Sequence, residues 1–378
     1  MKSEGPLSGT RIVEMAGLGP APLAAQLMAD RGADVVVVDR VSGPADPTDL
    51  NRRNKRSVAL NLKVPEGVQA CRRLIDRSDV LIEEFRPGVM ERLGLGPETF
   101  EETNPRLVFA RMTGWGQSGP WSTMAGHDIN YISLSGALKS VGHRGHPPVP
   151  PLNIFGDYGG GAMLLIFGVL AALLERLRSG RGQVVDAAMV DGLAAMMSVF
   201  QMLHARGRWS EEREANLLDG GAHFYRCYET SDGKAVSVGA IEPQFYAELC
   251  ETAGLPHDAP EAQHDPTAWP ERAERFAEVF RRKTRDEWAA IFAEGGACVA
   301  PVLTIAESET HPHLAARGVL FRGKGDVLQA APVPRFGRTG LPEVRPPRGP
   351  GEDGIEILAE LGYSEAEIAD MRARGAMT

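Results

Sequence analysis

The chain has 378 residues, 43% of them apolar and 24% charged, which is long for one core and ordinary for a soluble globular protein, so two domains are expected. Its net charge of -9 argues against general nucleic-acid binding, which needs a basic surface. Residues 1–10 carry no basic-apolar-small cleavage pattern, the longest apolar run (162–174) falls short of the roughly 20 residues that span a bilayer, and no peroxisomal tripeptide closes the chain. A cytoplasmic protein without a membrane partner is the expectation. Cys71, Cys227, Cys250 and Cys298 are scattered without metal-ligand spacing and read as reduced packing residues, and His311 and His313 are too isolated to claim a metal.

The first segment reads strand, helix, strand: RIVEMA, a GLGPAP turn, PLAAQLMADRG with Leu23, Leu27 and Met28 on one face, then DVVVVDR. This is a Rossmann-like unit. Gly17 and Gly19 begin a phosphate-loop pattern and Asp39 stands where a ribose-binding acid often sits, yet Pro20 and Pro22 follow where the fingerprint wants a helix-packing glycine. The unit therefore indicates a fold and not a dinucleotide. Next, LNRRNKRSVALNLKVPEG gathers Arg52, Arg53, Lys55, Arg56 and Lys63 around a short strand, as a solvated loop or as a phosphate handle. Arg40, at the end of the second strand, and Arg86, in SDVLIEEFRPGVMERLG, favour the handle, because a doubly wound sheet binds ligands beyond the carboxyl ends of its strands.

A further strand, RLVFARM, leads into GWGQSGP, AGHDINYISLSG and GDYGGGAM, whose centres are His127 and Asp157. Each has glycine beside it and each is expected just before a helix, where free backbone N–H groups favour an oxyanion. The glycines would let a ligand approach the backbone. Asp before a helix is also a favoured N-cap and a lone His is often structural, so context has to carry the acid-base reading. AMLLIFGVLAALLERLRSG then reads as a buried helix stopped by Gly180, and GQVVDAAMVDG as a last strand, closing a large α/β unit over 1–190. Residues 191–220 form a connecting helix and polar break. FYRCYETSDGKAVSVGA is a hairpin signal through Asp-Gly that opens a smaller α+β domain over 221–325, and 326–378 return through a Pro- and Arg-rich span to a terminal helical pair.

Taken together, LSGTRIVEMAGLGPAP, NRRNKRSVALNLK, DVLIEEFRPGVMERLGLG, ARMTGWGQSGP, AGHDINYISLSG, GDYGGGAM and GAIEPQFY resemble the family III CoA-transferases, and more closely their alpha-methylacyl-CoA racemase branch. The resemblance implies a Rossmann-like large domain completed by the C-terminal segment, a small domain, and an interlocked homodimer. It implies an acyl-CoA substrate, no cofactor and no metal, with His127 and Asp157 as the acid-base groups and Glu242 supporting them. CoA contacts carry over to Arg40, to Leu60, Asn61, Leu62 and Lys63, to Glu84, Phe85 and Arg86, to Arg92, and to Gly126, Asp128, Ile129, Asn130 and Tyr131. Asn61 and Glu84 depart from the pattern, since many relatives have Asp and a neutral residue there. The activity implied is interconversion of (R)- and (S)-2-methylacyl-CoA through an enolate. The alternatives are a CoA-transferase with Asp157 as nucleophile and a non-catalytic acyl-CoA-binding regulator. His127 favours the racemase, because a nucleophilic carboxylate needs no facing imidazole. Met163, Met189, Met196 and Met197 are candidates for an acyl surface or for ordinary core.

Overall fold

Uninterrupted apolar runs such as VVVV are what strands buried on both faces require, and here they build one six-stranded parallel sheet. The computed structural model describes residues 5–256 and 260–378. The strands are β1 (Arg11–Met15), β2 (Asp34–Asp39), β3 (Arg56–Ala59), β4 (Val80–Glu83), β5 (Val108–Thr113) and β6 (Val184–Ala188), in the order β3-β2-β1-β4-β5-β6. That is the doubly wound order, with its switch point between β1 and β4. The Rossmann-like expectation holds.

Alternate residues of β1 serve different layers. Val13 and Met15 join a core with α2 (Pro65–Ile75) and the C-terminal helices Gly354–Glu360 and Glu365–Ala373, through Leu74, Ile357, Leu361 and Met371. Glu14 instead meets Lys55, whose Nζ also donates to the Pro22 carbonyl in α1 (Pro20–Ala29). The terminal segment is thus part of the large unit's core. Its last residues pair there too: Leu60 bridges Met377, and Ser42 N–H donates to Thr378 Oγ1 at 2.8 Å.

The chain divides into two compact units. One comprises the residues up to Ser135, Leu152–Met196 and Ala315–Thr378, and the other Gly136–Pro151 and Met197–Leu314. Residues 136–151, read from sequence as part of the large domain, belong to the second unit because Arg213 donates to the His143 carbonyl and Arg144 to those of Arg213 and Glu214. The return likewise starts at Ala315 rather than at 326. Within the second unit β7 (Tyr225–Glu229), β8 (Ala235–Gly239) and β9 (Val299–Pro301) form an antiparallel sheet, the first two joined through Asp232 and Gly233. Helices Pro243–Ala253, Trp269–Phe280 and Arg285–Ile291 share with it an aromatic core of Phe224, Tyr228, Tyr246, Phe276, Phe280 and Trp288.

The helix around GDYGGGAM is longer than the sequence suggested. A 3-10 turn, Leu152–Ile154, and a π-helical stretch, Phe155–Met163, run straight into α5 (Leu164–Ser179), so that Leu152–Ser179 is one 28-residue helical run, long and apolar enough to cross a membrane by length and composition alone. One face of α5 is already taken. Leu165, Val169 and Ala172 are buried in the large unit, where α5 packs on β5 and β6, and the buried Arg176 donates to Asp79 and to the Arg106 carbonyl. The cysteines split: Cys71 and Cys250 pack in cores, whereas Cys227 and Cys298 are exposed, which corrects the reading of all four as packing residues.

Candidate active site

Two adjoining cavities open at the switch point. One, of about 610 Å³, is lined by Arg40, Leu60, Asn61, Leu62, Lys63, Phe85 and Thr378. The other, of about 500 Å³, is lined by Glu84, Phe85, Arg86, Trp115, Gly126, His127, Asn130 and Tyr131. Phe85 lines both. Asn61 sets the wall between β3 and the terminus, its Nδ2 donating to the Gly375 carbonyl at 3.0 Å while its Oδ1 accepts from Lys63 N–H at 3.1 Å. Arg40, Lys63 and Arg86 keep exposed side chains at these cavities, whereas Arg92, at the end of α3 (Val89–Arg92), is exposed but lines neither.

The rest of the basic cluster is consumed by structure. Arg52 is bidentate on Asp39 (3.2 and 2.7 Å), Arg53 binds Asp30 (3.1 and 2.5 Å), Arg56 binds Asp34 and Glu360, and Lys55 binds Glu14. The phosphate-handle expectation for these four is therefore corrected. The acids that claim them come from β1, β2, α1 and the C-terminal helices, where a local window of sequence does not look. Asp39 also accepts from Ser57 Oγ at 2.5 Å, so it too is engaged inside the fold.

His127 sits where the sequence placed it, as the N-cap of α4 (Asp128–Leu134), in extended backbone with an exposed side chain. Its N–H donates to Asn130 Oδ1 at 3.0 Å, which fixes the turn. Tyr131 holds the same turn from inside. Its hydroxyl donates to the Gly126 carbonyl at 2.5 Å, its ring meets Trp115 edge-on at 4.7 Å, and a Cβ at Gly114 would overlap that ring. The Tyr131 side chain is thus an anchor more than a free ligand contact.

Asp157 differs from expectation. It does not precede its helix but lies in the first turn of the π-helical stretch, half-buried. Its N–H donates to Asp128 Oδ1 at 2.8 Å, and its Oδ2 accepts from Asn153 Nδ2 at 3.1 Å. The first bond joins the residue after His127 to the backbone of Asp157, so the segments that carry these two side chains are held to one another. Asp128 is therefore a brace, its carboxyl raised above the usual range by burial and, more weakly, by the Asp157 charge. The glycines around Asp157 serve packing: a Cβ at Gly156 would strike Asp128, and one at Gly161 would crowd Pro20 of α1 and Met189 of α6 (Met189–Met196). Close helix approach, more than ligand approach, explains GDYGGG.

Neighbouring carboxyls are strongly perturbed. Burial pushes Glu84 up to about 7, with the charges of Glu14 and Asp157 adding to the effect, and burial does the same for Glu83 against the pull of Arg111. Glu84 turns to the loop after β1, where its Oε1 accepts from Leu18 N–H. Sequence reasoning gave it only a CoA contact. Loop residue Leu18 and the Asp157 partner Asn153 were missed, and Gly19 was read only as part of a phosphate-loop pattern. The acid at 84 was the one signal that could have found the loop.

The remaining candidates separate. Glu242 lies in the second unit, just before helix Pro243–Ala253, and its charge with that of Glu248 adds to the burial that raises the Cys298 thiol. Met189 is core, Met163 and Met196 are exposed, and Met197 belongs to the second unit. Met196 also lies close to Gly159, two residues from Asp157.

The family described as CoA-transferase family III matches residues 7–353. Alpha-methylacyl-CoA racemase of Mus musculus is 45% identical over 97% of this chain and 96% of its own length, and that of Homo sapiens is 44% identical over the same shares. A crystal structure of a CAIB/BAIF family protein from Brucella suis superposes with a TM-score of 0.81 at 25% identity, covering 95% of this chain and all of that one.

Proposed function

The chain belongs to the family III CoA-transferases, and from that premise we propose that it is an isomerase, a racemase of 2-methylacyl-CoA thioesters. One observation carries the reading beyond the family: an imidazole and a carboxylate, His127 and Asp157, sit on segments tied together by the bond from Asp157 N–H to Asp128. The thioester carbonyl acidifies the hydrogen on its α-carbon. One base takes that proton, the electron pair moves onto the carbonyl oxygen as an enolate, and the other base returns a proton to the opposite face. The two exchange roles for the other enantiomer. Arg40, Lys63 and Arg86 are proposed to hold the nucleotide and phosphates at the two cavities, with Glu242 supporting the pair. Proton NMR of each pure enantiomer of a 2-methylacyl-CoA in deuterated water is the test. Both should lose the α-hydrogen signal and converge on one mixture, whereas acyl transfer to a free acid without α-exchange would make the protein a transferase.

A second copy of the chain is proposed as partner. Met163, Phe167, Leu170, Leu174 and Leu177 fall at alternating spacings of four and three along one helix face and are 40% to 75% exposed. Such a stripe is the seam of a helix pair. The inner face is already packed on a sheet, which favours a protein partner over a bilayer. Sedimentation velocity should give a dimer, and Phe167→Glu with Leu174→Glu should shift it to monomer with loss of activity. A fully active monomeric wild type would remove the dimer from this account.

A further inference from the structure

The loop that follows β1 backs directly onto Asp157. A Cβ placed on Gly19 would stand 3.4 Å from Asp157 Oδ2, so this stretch of main chain forms one wall of the carboxylate's position. What holds the loop there comes from the neighbouring strand across the switch point. Glu84, just after β4, accepts from Leu18 N–H, and the Ala21 N–H favours the charged form of its carboxylate. Pro20 and Pro22 have no N–H to offer, which leaves Leu18, Gly19, Ala21 and Leu23 as the donors over residues 18–23. Glu84 takes the first of them. The packing is tight as well, since a Cβ on Gly17 would overlap the Glu84 carboxylate. Its other oxygen, Oε2, is buried without a hydrogen-bond partner among the described residues, so no competing tether draws the side chain away.

We infer that Glu84 is a positioning residue: by clamping residues 17–21 it fixes Gly19 against Asp157 and so sets the geometry of proton transfer at the face of the substrate that Asp157 serves. The inference rests on the two-base reading above. A carboxylate left free to swing loses the near-attack arrangement, and displacements on the order of 1 Å cost roughly tenfold to a hundredfold in rate. His127 is held by a separate set of contacts, through Asn130, Gly126 and Tyr131. Loss of the clamp should therefore fall unevenly on the two faces.

The test measures initial rates of deuterium uptake from each pure enantiomer of a 2-methylacyl-CoA, with Glu84→Ala placed in the His127→Ala and Asp157→Ala backgrounds. The first background reports exchange through Asp157 and the second through His127. Glu84→Ala should lower the Asp157-face rate at least about tenfold more than the His127-face rate. Glu84→Gln, which keeps an amide oxygen for the Leu18 N–H, should restore most of that difference. A general loss of folded protein scales both faces equally and leaves the ratio unmoved. An unmoved ratio, or a Gln variant as skewed as the Ala variant, overturns the clamp. Failure of the two-base reading shows earlier and differently, as His127→Ala and Asp157→Ala single variants that exchange the same enantiomer or neither.

Discussion

Replacing Asp157 with alanine is expected to lower racemisation by at least about a hundredfold, and by up to about 10⁴, in both directions, the range set by loss of one positioned acid-base group. Deuterium exchange should nonetheless persist into one enantiomer, with retention, because His127 still faces one side of the α-carbon. His127→Ala should give the mirror result. With only Asp157 remaining, the enolate is reprotonated from the face it was formed on, so configuration is kept while the label enters. Residual rates will be slow, since only one positioned acid-base group remains. The asymmetry is the diagnostic quantity. A transferase behaves otherwise: loss of Asp157 removes the nucleophile and abolishes acyl transfer, while loss of His127 spares most of it. Chiral purity and deuterium content, followed from each enantiomer for both variants, separate the two. Identical behaviour toward both enantiomers would sink the assignment of one base to each face.

The bond from Asp157 N–H to Asp128 is what makes such single-face exchange a fair expectation, because it does not involve either reacting side chain. It was not legible in the sequence. RIVEM and DVVVVD announced strands through runs of buried apolar residues, and the helix at Asp128 was announced by GHDIN. The order of the six strands followed the general rule for such units. The π-helical turn at Asp157 was hidden because consecutive glycines have low helix propensity and read as a loop. Their reason is tertiary: Gly156 faces Asp128, Gly160 faces Leu193 and Gly161 faces Pro20, none of which a local window contains. The exposed stripe on α5 was concealed in the opposite way. Its residues are as apolar as the buried ones, so composition marked the whole helix as core.

The basic cluster shows the same limit with a larger energetic stake, and it yields the second prediction. Lys55 is 3% exposed, its Nζ 2.5 Å from Glu14 Oε2 and 2.9 Å from the Pro22 carbonyl. Glu14 sits on β1, between β2 and β4, in the middle of the sheet. Burial pushes Glu14 above its ordinary range and Lys55 below its own, and the mutual attraction of the pair opposes both. Removing one partner leaves the other buried alone, at a cost of roughly 3–5 kcal/mol. Lys55→Met should therefore unfold at a much lower urea concentration than the wild type. The sign of its pH dependence follows. Without Lys55 the folded-state pKa of Glu14 rises further above its unfolded value, so the folded form is favoured while Glu14 stays protonated. That contribution is complete below the unfolded pKa and is lost as pH rises through the folded one, making the variant worse at pH 8 than at pH 5. Glu14→Leu combined with Lys55→Met removes both charges and should recover most of the stability, since well-packed apolar replacements of buried pairs are often neutral. The phosphate-handle reading predicts the reverse pattern: an unchanged urea midpoint with a raised KM for acyl-CoA that grows with salt. Because Lys55 also holds Pro22, at the start of the helix that follows the Gly17 and Gly19 loop, a destabilised Lys55→Met should lose turnover along with stability, and the double variant should regain stability ahead of turnover.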